Sequence, residues 1–82
     1  KGSNALAFVK LFTPDSNFTW YITELDPEEG LCFGLVVGFE KELGYFSLNE
    51  IEQIKGPMGL EVERDDSFQP TKLKNLGFDY GK

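Results

Sequence analysis

Residues 31–65, LCFGLVVGF–EKE–LGYFSL–NEIEQIK–GPMGL–EVERD, decide the fold. Leu31–Phe39 is apolar at almost every position. Leu31, Phe33, Leu35, Val37 and Phe39 share one face of an extended chain, and Cys32, Gly34, Val36 and Gly38 share the other. Large residues on one side with small ones opposite predict a central strand whose small face admits a helix or another backbone closely. Glu40-Lys41-Glu42 reads as a hairpin loop that returns through Leu43–Phe46.

Ser47 to Gly56 carries the clearest local signal. Ser47 at the N-cap with Glu50 three residues on forms a capping box, and Phe46 and Ile51 stand where a hydrophobic staple places them. Leu48, Ile51 and Ile54 make one apolar stripe, while Glu52, Gln53 and Lys55 face water. Gly56 is positioned as a left-handed C-cap and Pro57 forbids continuation, so a helix over 47–55 is predicted. A helix this short needs a sheet to hold it. Leu60–Asp65 alternates and reads as a charged edge strand.

Working outward, Ala5–Thr13 reads as a strand ended by Pro14, and Pro-Asp-Ser-Asn (14–17) as a turn whose side chains bond their own backbone. Phe18–Glu24 alternates, with Phe18, Trp20 and Ile22 on one face and Thr19, Tyr21 and Thr23 on the other, as a half-buried antiparallel strand does. Asp26–Gly30 is a further break. After Pro70, Thr71–Leu76 suggests a short C-terminal helix with Leu73 and Leu76 inward. The expectation is one α+β domain over 5–76: a small, mainly antiparallel sheet of about five strands with one short helix packed on it. Residues 1–4 and 77–82 are expected to be flexible termini.

Composition excludes several function classes. Eight basic against fourteen acidic residues give a formal charge of −6, and Lys41, Lys55, Lys72 and Lys74 are dispersed. Direct nucleic-acid binding requires clustered cations and is not expected, and an acidic membrane surface would repel the chain. A single cysteine rules out an internal disulfide or a cysteine-based zinc site, and the absence of histidine removes the usual general base and metal ligand. No apolar run reaches the ~18 residues of a membrane span, so a cytoplasmic location is expected, and no cofactor or metal. Cys32, between Leu31 and Phe33 with no histidine to activate it, reads as a small core residue. Glu61, Glu63 and Asp65 would share one strand face that could take a hard cation, but a solvated edge is the simpler reading.

Several spaced motifs resemble one family. Phe33-Gly34-Leu35-Val36, the run Glu42–Leu48 (ELGYFSL), Gly56-Pro57 with Gly59-Leu60, and Glu63-Arg64-Asp65 are similar to the family called "domain of unknown function 2958". The upstream Leu11–Glu24 resembles that family's first hairpin. The match spans roughly 5–76, departing at Phe18, where tryptophan is expected, at Met58, where leucine is usual, and at Asp66. The resemblance implies a bacterial protein often carried on plasmids or other mobile elements, and implies no activity.

The residues themselves point to a non-enzymatic protein-interaction module, either a monomer or a homodimer. Its expected contact face is the outward side of the sheet, with Tyr21 and Tyr45 together and Thr19 and Thr23 beside them. Arg64 either joins that surface or pairs inward with Glu24 or Asp66. Two alternatives stay open: an acidic decoy that mimics nucleic acid, and a carboxylate enzyme assisted by a divalent ion.

Overall fold

A computed structural model of the chain describes residues 4–77. Among the described residues, seven strands, one short helix and a closing 3-10 turn follow one another. They are β1 (Leu6–Ala7), β2 (Val9–Phe12), β3 (Thr19–Asp26), β4 (Leu31–Val37), β5 (Lys41–Ser47), α1 (Leu48–Glu52), β6 (Glu63–Arg64) and β7 (Thr71–Lys72), with the turn at Leu73–Leu76. The main sheet has five antiparallel strands in the order β5-β4-β3-β2-β6, and β1 pairs with β7 in a separate two-stranded sheet. The α+β architecture expected from the sequence is therefore present, with little helix.

The register sorts side chains onto two faces, because residues directly opposite each other across a ladder point the same way. Leu11, Trp20 and Val36 stand in one row, with Ile22 opposite Gly34 on the same face. Lys10, Tyr21, Leu35 and Leu43 form a row on the other. A bulge between Ile22 and Glu24 lets Thr23 turn its hydroxyl to the Phe33 carbonyl, 2.9 Å away.

Both faces are covered. On one, Ala7, Leu35 and Leu73 form a fully buried cluster that Tyr21, Val37, Leu43, Phe68 and Leu76 close around. On the other, Trp20, Ile22 and Cys32 are buried, and the segment after α1 closes over Trp20. Strand β4 is central and fully engaged, as its apolar run implies.

Several expectations need correcting. Ala5–Thr13 is not one strand: β1 leaves the main sheet to pair with β7, so the N-terminal segment covers the Tyr21 face instead of lengthening the sheet. Thr71–Leu76 is a two-residue strand followed by a 3-10 turn, not an α-helix. Leu73 N–H donates to the Ala5 carbonyl, so β1 competes with helix formation there.

The central helix is shorter than 47–55. It ends at Glu52 with Gln53 as a right-handed C-cap, and Gly56 has no positive φ. Ser47 does cap it, accepting from Glu50 N–H at 3.4 Å. The left-handed residues are Gly30, Gly59 and Gly77. The edge strand expected over Leu60–Asp65 contracts to Glu63–Arg64, because 55–61 folds into its own small turn with Lys55 bridged to Glu61. Of the termini expected to be flexible, residues 1–3 and 78–82 lie outside the described residues.

Candidate functional site

The β2–β3 turn is built to project. Thr13, 3% exposed, receives the chain back through its N–H to the Phe18 carbonyl at 3.1 Å, and its hydroxyl bonds the same carbonyl and Ser16. Asp15 does more than stabilise its own turn. Its Oδ2 accepts from Met58 N–H at 2.6 Å, across 43 residues of sequence, and so ties the β2–β3 turn to the segment that follows α1.

That segment is itself tight. Gly56 N–H donates to Leu60 and Gly59 N–H to the Gly56 carbonyl, each at 2.9 Å, and Gly59 at φ +82° supplies the left-handed position. Gly56 serves a different need: a Cβ there would occupy the space of the Asp15 carboxylate. The second oxygen, Asp15 Oδ1, is buried without a hydrogen-bond partner.

The tie leaves a cleft of about 370 Å³ between the two loops, lined by Phe18, Trp20, Ile54 and Pro57 with Thr13, Ser16, Lys55 and Gly56. Its walls are overwhelmingly apolar. Phe18 also borders a neighbouring hollow of about 390 Å³ shared with Val36, Gly38, Phe39, Glu40 and Glu42. Phe39 is 97% exposed and meets Phe18 edge-to-face at 5.8 Å, while Phe18 leans on Trp20 at 6.2 Å. Met58, 78% exposed, and Leu60 follow Pro57 closely in the chain and are exposed apolar side chains as well.

The residues singled out in the sequence fall elsewhere. Tyr21 and Tyr45 point to the same sheet face but do not form one exposed platform. Tyr21 is half-buried against Phe68 at 5.7 Å, inside the layer that β1, β7 and the 3-10 turn cover. Tyr45 is exposed near the sheet edge, where its ring meets Phe33 edge-to-face at 4.9 Å. Thr19 is half-buried beside a shallow polar hollow with Lys10, Phe12 and Asp65, and the Thr23 hydroxyl is committed to Phe33. Arg64 is exposed on β6, and the ion pair at this edge is Lys10–Asp65 at 3.6 Å.

Sequence reading missed Phe18, Phe39, Ile54, Pro57 and Met58 as a group because they come from three separate loops. The available signal was Phe39 itself, an aromatic set between Gly38 and Glu40 at the end of the strand expected over Leu31–Phe39, next to the hairpin loop expected at Glu40–Glu42.

The chemistry that this arrangement offers is limited. Among the described residues no three His, Cys, Asp or Glu side chains come together as a metal site. Burial pushes the Cys32 thiol above its ordinary pKa, which disfavours the nucleophilic thiolate. A hydrophobic slot with one lysine and a few hydroxyls at its rim suits an apolar side chain or ligand.

Fold and site together define a small α+β domain whose sheet is covered on both faces and whose loops frame an apolar cleft. The profile of the family described as "Protein of unknown function (DUF2958)" matches residues 1–76, and the chain belongs to that family. No curated protein and no solved structure matches the chain.

Proposed function

We propose that this chain is a non-enzymatic protein-interaction module that receives a partner at the cleft over Trp20. The observation that carries the proposal is that Phe18, a wall of the cleft, carries the exposed Phe39 against its outer side, while the exposed Met58 follows the cleft residue Pro57 in the chain. Large exposed aromatics and methionine beside a preformed slot are the usual make-up of a contact surface. Glu40 and Glu42 border the same surface, so a partner with basic residues around an apolar anchor fits it. In line with the family resemblance, the module acts in a bacterial cytoplasm and is encoded on a plasmid or other mobile element.

Phe39 and Met58 are exposed enough to be replaced without disturbing the core. The test is affinity capture from a bacterial lysate, followed by calorimetry with the captured protein after purification. Phe39→Ser/Met58→Ser should abolish binding, at least ten-fold in Kd, with an unchanged melting temperature. Equal binding by wild type and the double variant would refute the assignment.

A further inference from the structure

Among the described residues strand β5 is an edge of the main sheet, and the ladder on its inner side determines what its outer side presents. Gly38 N–H donates to Glu40 O, and at the other end Leu48 N–H donates to Gly30 O. Closely bonded pairs alternate with non-bonded ones along an antiparallel ladder. Val36–Glu42, Gly34–Gly44 and Cys32–Phe46 are therefore the bonded β4–β5 pairs, and Lys41, Leu43, Tyr45 and Ser47 turn their backbone groups outward. Among the described residues no strand pairs with that side.

We infer that a second copy of this chain pairs with β5, antiparallel and centred on Gly44, joining the two five-stranded sheets into one. The strand is self-complementary in that register. Leu43 of each copy stands opposite Tyr45 of the other, and each such pair exchanges two hydrogen bonds. Ser47 N–H reaches the Lys41 carbonyl of the other copy at either end; the Ser47 carbonyl serves α1 as its N-cap.

Shifting the axis to Leu43 shortens the ladder, and shifting it to Glu42 sets two carboxylates face to face. Centring on Gly44 opposes Lys41 to Ser47 and Glu42 to Phe46, so no like charges meet. The strand carries one positive and one negative side chain and is itself neutral, although the whole chain carries −6. Tyr45, 72% exposed, would be covered by Leu43 across the interface. Gly44 on the axis has nothing within 4 Å of a Cβ position and no positive φ, so a side chain there is tolerated.

The test combines mass with a cross-link. In sedimentation equilibrium the chain should double its 9.3 kDa with rising concentration, and association should strengthen with salt because salt screens the net repulsion. Facing residues of a non-bonded pair lie about 4.5 Å apart at Cα, within disulfide range. In a Cys32→Ala background, Gly44→Cys should therefore oxidise to a covalent dimer at least ten-fold faster than Glu52→Cys on α1. Tyr45→Pro removes an outward N–H and no bond to β4, and should leave a folded monomer. A chain that stays monomeric at millimolar concentration overturns the inference, as does a dimer in which Gly44→Cys cross-links no faster than Glu52→Cys.

Discussion

Gly34 and Gly44 face each other across the β4–β5 ladder, yet the same substitution should have opposite effects at the two positions. A Cβ on Gly34 would land on the Tyr21 carbonyl oxygen, 3.0 Å from its carbon and 3.1 Å from Ile22 Cα. All three atoms are backbone of β3, held on its other side by β2, so no side chain can swing away. The strands must part beside the bulge, which places Gly34→Ala at the upper end of overpacking costs, about 3 kcal/mol.

A domain of 82 residues is stable by about 4–12 kcal/mol, so the loss is a quarter or more of the whole. With a urea slope near 1 kcal/mol/M, the midpoint should fall by about 3 M. Gly44→Ala meets open space and should be neutral, or stabilising by up to about 0.5 kcal/mol, through reduced freedom of the unfolded chain. Trp20, the single tryptophan and 5% exposed, reports unfolding by fluorescence, with both variants measured at one protein concentration. A Gly34→Ala variant within 0.5 kcal/mol of wild type, or two equal effects, would refute the register on which both faces rest.

Further expectations follow from the loops and caps. Asp15→Ala should cost about 1–3 kcal/mol by removing the acceptor of Met58 N–H, and Gly56→Ala should displace the same carboxylate. The double variant should cost less than the two singles together, and strict additivity in urea melts would show that the loops are not tied through Asp15. Ser47→Ala should lose about 1 kcal/mol with α1 frayed, read by thermal melting; no change would deny the cap.

Cys32 is neutral when folded and its pKa is raised by burial. Its contribution to stability is therefore complete below the thiol's unfolded value and is lost as pH rises through that value toward the folded one. The melting temperature should fall from about pH 8.5 upward, less steeply in Cys32→Ala, and an identical slope in both would exclude this cause. Labelling of the thiol by a disulfide reagent should be slow natively and immediate in denaturant.

Much of the fold was legible because the strongest local signals agreed with the tertiary outcome. The alternation of Phe18–Glu24 put Trp20 and Ile22 inward, and Ser47 capped the helix where its spacing from Glu50 placed it. What failed depended on distant partners. Tyr21 faces away from Trp20, as alternation requires, but a second layer built from both ends of the chain covers that face as well. Alternation distinguishes two sides of a strand; it does not say that one of them is wet.

Gly56 looked like a helix terminator because Pro57 follows it, whereas the need for glycine comes from Asp15, far away in sequence. The cleft was illegible for the same reason: the turn-to-turn tie, and not any periodicity, brings Phe18 and Ile54 together, while Phe39 reaches Phe18 from the separate β4–β5 turn.

Docking at the cleft is read most directly from an amide chemical-shift map of the isotope-labelled chain titrated with its purified partner. The perturbed amides should cluster at Phe18, Phe39, 54–56 and Met58, around the cleft. Perturbations confined to Tyr45 and β5, or to the Tyr21–Phe68 layer, would contradict it.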